Sequence, residues 1–142
     1  MDKKKTLILI SIIFIIILTP VFASGNQEKN TNENETQIEI KYNKISAEEA
    51  KSIFDSNNEA IIIDVRTEEE FNSSHIPNAI NIPLSTIEEE VLKQYPNKDQ
   101  TLYLYCRSGN RSSQAARILM NNGYYNIYDF GGIIDWPYEV VK

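Results

Sequence analysis

One cysteine, Cys106, and one histidine, His75, are all the soft-ligand chemistry that this 142-residue sequence contains. A lone cysteine cannot close an intramolecular disulfide, and one Cys with one His cannot assemble a metal centre, so neither a bound metal nor a cofactor is expected. By itself such a cysteine is a small buried hydrophobe, and only its surroundings can make it more than that. Positive charge is scarce as well, with 14 Lys and Arg against 20 Asp and Glu and a net charge of −6. Asp2 against Lys3, Lys4 and Lys5 puts the first 23 residues at +2, which leaves −8 for the rest. A chain of that charge has no electrostatic footprint for nucleic acid or for anionic lipid headgroups. An anionic substrate would have to be attracted by a local site that overrides the global field. The length leaves no room for two cores, and one domain with some non-globular sequence is expected.

The non-globular part is at the N-terminus. Three lysines precede an apolar run from Thr6 to Leu18, interrupted only by Thr6 and Ser11, and Thr19-Pro20 ends it. Val21-Phe22-Ala23 then places small residues before Ser24, so residues 1–23 are expected to be a cleaved signal peptide and the chain to be exported, periplasmic or extracellular. The alternative is an uncleaved anchor, since Thr6 to Ala23 is 18 residues, the lower end of a membrane span. Contact with a membrane is expected only in that case. Residues 24–37 are expected to be a flexible polar linker, because Ser24 to Thr36 offers no aliphatic or aromatic side chain to bury. Residues 38–142 form the expected globular domain.

Within that domain, helix starts alternate with apolar strands. Ser46 with Glu49 predicts a capping box, with Ala50, Ile53 and Phe54 as the buried stripe of a short helix ending at Asn57-Asn58. Ala60 to Val65 is apolar without alternation, the pattern of a buried parallel strand. Thr67 with Glu70 predicts a second capping box and Ser85 with Glu88 a third; the glutamates at 68–70 and 88–90 read as solvated helix faces. Thr101 to Tyr105 is a β-prone run that stops at Cys106, and a helix is expected from about Arg111 to Asn121 with Gly123 as its stop. Tyr125 to Tyr128 is expected to be the last strand, and Gly131-Gly132 to open a terminal helical turn through Trp136. Such alternation predicts an α/β domain with a mainly parallel sheet.

In open sheets of this class, ligands bind beyond the carboxyl ends of the strands. Cys106 falls at that place, between a strand and the helix that follows. The segment Cys106-Arg107-Ser108-Gly109-Asn110-Arg111-Ser112 is rich in small and turn-forming residues. Its amides and the start of the helix favour an anion, so a lowered Cys106 pKa is expected.

This heptapeptide resembles the active-site loop of single-domain rhodaneses. Ile63-Asp64-Val65-Arg66-Thr67 with Glu70-Phe71 resembles the family's Asp-x-Arg strand end and acidic-aromatic helix. Ser74-His75-Ile76-Pro77-Asn78-Ala79 is similar to its Gly-His-Ile-Pro-Gly-Ala segment, with Ser74 and Asn78 in place of glycines, and Gly131-Gly132-Ile133-Ile134-Asp135-Trp136 matches its closing Gly-Gly-x-x-x-Trp. The resemblance implies a three-layer α/β domain with a mainly parallel central sheet flanked by helices. It implies a sulfurtransferase in which the Cys106 thiolate takes sulfur from a donor such as thiosulfate and passes it, as a persulfide, to cyanide or a thiol. Such chemistry needs a good thiolate, stabilisation of the persulfide anion and a cationic rim. Arg107, Ser108, Gly109, Asn110 and Arg111 are the expected substrate-binding residues, the two arginines supplying the rim.

Other functions were weighed on the same residues. Cysteine-dependent phosphatases and arsenate reductases also cradle an oxyanion at a helix start, but they need five residues between Cys and Arg, and here Arg111 has four between. A sulfur carrier that binds persulfide without turning over would use the same loop as an enzyme, and the sequence leaves that alternative open. His75 is expected to be structural, and Asp64 with Arg66 to form a supporting ion pair.

Overall fold

The computed structural model describes residues 42–142. The expectations for the signal peptide, the linker and the first residues of the domain lie outside the described residues. Nine regular elements follow in order: β1 (Asn43–Lys44), α1 (Ala47–Ser56), β2 (Ile61–Asp64), α2 (Glu68–Ser73), β3 (Ala79–Asn81), α3 (Ile87–Gln94), β4 (Leu102–Cys106), α4 (Asn110–Asn121) and β5 (Ile127–Gly132). Short 3-10 turns at Leu84–Thr86 and Ile133–Asp135 complete the described chain. The strands form one parallel sheet in the order β1-β5-β4-β2-β3, with β4 at its centre.

The central strand explains why hydropathy does not alternate here. All five of its residues are buried. Leu102, Leu104 and Cys106 enter the apolar cluster that includes Val91 of α3 and Ala115, Ala116 and Leu119 of α4. Tyr103 and Tyr105 enter the opposite cluster, with Ala50 of α1, Ile76, Phe130 and Trp136. Strand side chains point alternately to the two faces, so a strand covered on both must be apolar throughout. The three-layer α/β arrangement is therefore as expected.

Both of the first two capping boxes form: Ser46 and Glu49 close α1, and Thr67 and Glu70 close α2. The third does not. Pro83 holds the chain extended and Leu84–Thr86 turns at once into a 3-10 helix, with the Thr86 amide donating to the Pro83 carbonyl over 2.9 Å. Ser85 thus lies inside a turn and not before one, and α3 starts after Thr86 with no side-chain cap. The last strand also differs from expectation, since it begins at Ile127 and runs through both glycines to Gly132. Pairing with β4 sets that frame: Leu102 lies opposite Ile127 and Cys106 opposite Gly132, across a register irregularity. β3 was not anticipated, because three residues carry too little pattern to announce a strand.

Candidate active site

Cys106 is the last residue of β4, and its side chain is 1% exposed. It satisfies the bland expectation for a lone cysteine, packing in the core beside Val65 and Ala115, but its sulfur faces the loop. Gly109 adopts φ 91°, a left-handed conformation that costs glycine nothing, and caps α4. That twist aims the Gly109 amide at the cysteine, N to Sγ 3.1 Å. Burial pushes the thiol pKa up, but the amides of Ser112, Ser108 and Gly109 together with the Ser112 hydroxyl outweigh it, and the net direction is below an ordinary thiol. Donors that converge on a sulfur favour the thiolate, because each interaction is stronger with the anion.

The closing glycine pair holds this loop from behind. A methyl group at Gly132 would lie 2.3 Å from the Arg107 carbonyl oxygen and 2.6 Å from the Ser108 Cα, so β5 can pass the loop only without a side chain. The Ile134 amide then donates to the Arg107 carbonyl over 3.3 Å.

The two loop arginines differ in their surroundings. Arg107 is exposed, as are Ser108 and Asn110. Arg111 is half-buried and makes a bidentate pair with Glu70 of α2, Nη1 to Oε2 2.7 Å and Nη2 to Oε1 2.8 Å. It also faces the Cys106 sulfur. The Arg111 guanidinium, with help from the Thr67 amide and hydroxyl, holds the Glu70 carboxyl well below its usual range, at about 2, against a smaller opposing effect of burial. Glu70 is thus more than the solvated helix residue expected of it: one carboxylate both caps α2 and anchors the arginine beside the thiolate. Asn110 opens α4, and its side-chain oxygen accepts from Gln114 Nε2 at 2.7 Å, which turns that side chain along the helix.

Ser112 was not among the expected site residues. It is fully buried one turn into α4, its Oγ donating to the Gly109 carbonyl at 3.1 Å. A serine in the first turn of a helix that follows a reactive cysteine is the only trace that it leaves in the sequence.

The supporting residues fall where expected. Arg66 pairs with Asp64 inside the core, Nη2 to Oδ2 2.6 Å, and its Nη2 also donates to the Ser74 carbonyl over 2.7 Å. His75 stacks on Phe71 with ring centroids 3.9 Å apart, and its backbone exchanges two hydrogen bonds with Val141. Asn78, standing where the resembling family has glycine, takes φ 64°, a left-handed angle that Asn tolerates. Ser74 is extended at φ −172° and needs no glycine.

Residues 46–137, from the α1 cap to just past the closing tryptophan, match the Rhodanese-like domain family. The chain belongs to that family. The rhodanese-like domain is 39% identical over 80 residues to the thiosulfate sulfurtransferase PspE of Escherichia coli, covering 56% of this chain and 77% of the relative. It is 35% identical over 104 residues to the adenylyltransferase and sulfurtransferase UBA4 of Candida albicans, covering 68% of this chain but only 24% of that much longer protein. Among solved structures, a rhodanese with anions from E. coli superimposes with a TM-score of 0.55 at 37% identity, covering 58% of this chain and 98% of the other. Membership places the activity in the sulfurtransferase class, with a small-molecule donor and acceptor of sulfur.

Proposed function

We propose that this rhodanese-like domain moves sulfane sulfur from a thiosulfate-type donor to a thiophilic acceptor through a persulfide on Cys106. The observation that carries the proposal is the convergence of loop amides on a buried sulfur, with the Gly109 N–H at 3.1 Å. In the first step the Cys106 thiolate attacks the outer sulfur of thiosulfate. A new S–S bond forms, the donor's S–S bond breaks, and its electron pair leaves on sulfite. The product is the persulfide anion Cys–S–S⁻, whose terminal charge takes the place of the thiolate's within reach of the same amides. In the second step cyanide or a thiolate attacks that terminal sulfur, leaving as thiocyanate or as a new persulfide and returning the Cys106 thiolate. No proton has to move in either step, which fits a site built from amides and guanidinium groups. Arg107 lies at the rim, able to meet the sulfonate end of the donor, and Arg111 adds positive charge close to the sulfur.

Mass spectrometry and a steady-state assay together test this. Thiosulfate is expected to add one sulfur atom to the protein with release of one sulfite, and cyanide or a thiol to remove that sulfur over many turnovers. Stoichiometric loading without turnover for any of several donors would make the domain a sulfur carrier, and no loading at all would defeat the proposal.

We further propose export with cleavage before Ser24, on the strength of the basic start, the apolar run and the small residues at 21 and 23. Protein from the native host is then expected to begin at Ser24 outside the cytoplasmic membrane. An intact Met1 terminus in the membrane fraction would favour the anchored alternative.

A further inference from the structure

Asp129, in the middle of β5, is a buried carboxyl that the sulfur-transfer chemistry does not use. It is 3% exposed, and among the described residues it forms no ion pair, unlike the equally buried Asp64 on Arg66. The only amide it accepts from is that of Gly131, N to Oδ1 3.0 Å. Its other hydrogen-bond partner is the Ser112 hydroxyl, while Lys44 on the neighbouring β1 acts on it only through its charge.

Ser112 links this carboxyl to the thiolate. Its Oγ lies 3.1 Å from the Gly109 carbonyl oxygen and 3.5 Å from that of Gly131. It faces the Asp129 carboxyl from one side and the Cys106 sulfur from the other. A hydroxyl has one hydrogen to donate and two lone pairs to accept with. Several acceptors therefore compete for a single hydrogen, and two of them, the carboxylate and the thiolate, carry charge.

We infer that Asp129 is a positioning residue whose protonation state sets, through Ser112, how firmly the Cys106 thiolate is held. When Asp129 is ionised it takes the Ser112 hydrogen, and the thiolate loses a donor and gains a buried negative neighbour. When Asp129 is protonated it donates to Ser112 Oγ, and the serine hydrogen is released towards the sulfur. Burial favours the second state by pushing the Asp129 carboxyl above the usual range, against smaller opposing effects of Ser112, Gly131 and Lys44. The sign follows: as pH rises through that elevated value Asp129 ionises, and the thiolate becomes harder to form. The coupling is reciprocal, so a thiolate at Cys106 also makes Asp129 harder to ionise. The inference rests on Cys106 as the reactive group of the proposed mechanism.

The pH dependence of Cys106 alkylation by iodoacetamide, measured on the full chain, tests it. Alkylation needs a thiolate but no sulfur donor, so a failure of this inference and a failure of sulfur transfer are told apart. Asp129→Asn keeps the acceptor for Gly131 and a donor for Ser112 while removing the charge. It is expected to shift the alkylation midpoint down by about one pH unit, so that the variant reacts about five- to tenfold faster well below that midpoint. In a Ser112→Ala background the same substitution is expected to have a much smaller effect, because the shared hydrogen is gone. Equal midpoints for the wild-type and Asp129→Asn proteins, both folded, would overturn the inference, as would an undiminished shift without Ser112. Should Asp129→Asn not fold, the wild-type protein serves. The Asp129 carboxyl carbon is followed by NMR titration, with Cys106 free and capped as its methyl disulfide. Its midpoint is expected to fall on capping, and an unchanged midpoint would refute the coupling.

Discussion

Cys106→Ser is expected to abolish sulfur transfer, lowering turnover by about 10⁴-fold or more while the protein remains folded. An alcohol is far less acidic than the thiol that the loop amides already hold below its ordinary pKa, and its oxygen has little affinity for sulfane sulfur. The fold should tolerate the change, because the new hydroxyl is close in size and meets the Gly109 amide that now points at Sγ. Its cost is expected to stay within about 1–2 kcal/mol. Thiocyanate formation from thiosulfate and cyanide, measured beside a thermal melt, checks both halves. Substantial residual transfer by the folded variant would remove Cys106 from the role of nucleophile.

The second large effect separates the two loop arginines. Arg107 is exposed, so Arg107→Gln removes a charge that is available to an anionic donor. Charge-assisted hydrogen bonds are worth about 1.5–3 kcal/mol, so kcat/KM for thiosulfate is expected to fall by about 10- to 100-fold, mostly through KM. An uncharged organic trisulfide offers that guanidinium no anionic partner and should be used as before. Arg111→Gln is a different experiment. It strands the Glu70 carboxylate that now takes both Arg111 nitrogens, at 2.7 and 2.8 Å. It also removes the cation facing the sulfur. Both donors are expected to suffer, with kcat falling as well as KM rising. The Glu70 carboxyl titrates at about 2, so the contrast should hold at any assay pH well above that. Raised salt should imitate Arg107→Gln and not Arg111→Gln, because an exposed charge is screened far more than a paired one. Equal losses at both positions for both donors would mean that the arginines shape the loop without recognising charge.

What could be read from the sequence divides by range. β2, β4 and the first two capping boxes rest on neighbouring residues, as does the strand–loop–helix run through Cys106, and the structure has them. The third capping box failed for a local reason that competes with capping: Pro83 commits the next residues to a 3-10 turn. β5 was placed early because its frame is set by β4, through the pairing of Leu102 with Ile127, and not by its own hydropathy. The missing parts of the site are all long-range. Glu70 meets Arg111 across 41 residues, and Asp129 meets Ser112 only because β5 lies against β4. Composition and spacing carry no trace of such meetings, whereas the closing glycine pair could be noticed as a motif and explained only once Gly132 was seen against Arg107.

Chain order and sheet order disagree in this fold, and that has a consequence for when the site exists. β5 is the last strand made, yet it lies between β1 and β4 and is the strand to which β1 pairs. The cysteine loop is backed by Gly132 and tied by Ile134, both near the C-terminus. A nascent chain that has emerged only as far as α4 carries Cys106 without the wall behind it. Its thiol at that stage belongs to an unsupported loop, so the capacity to carry sulfur arrives with the final stretch of the polypeptide and serves as a signature of completed synthesis.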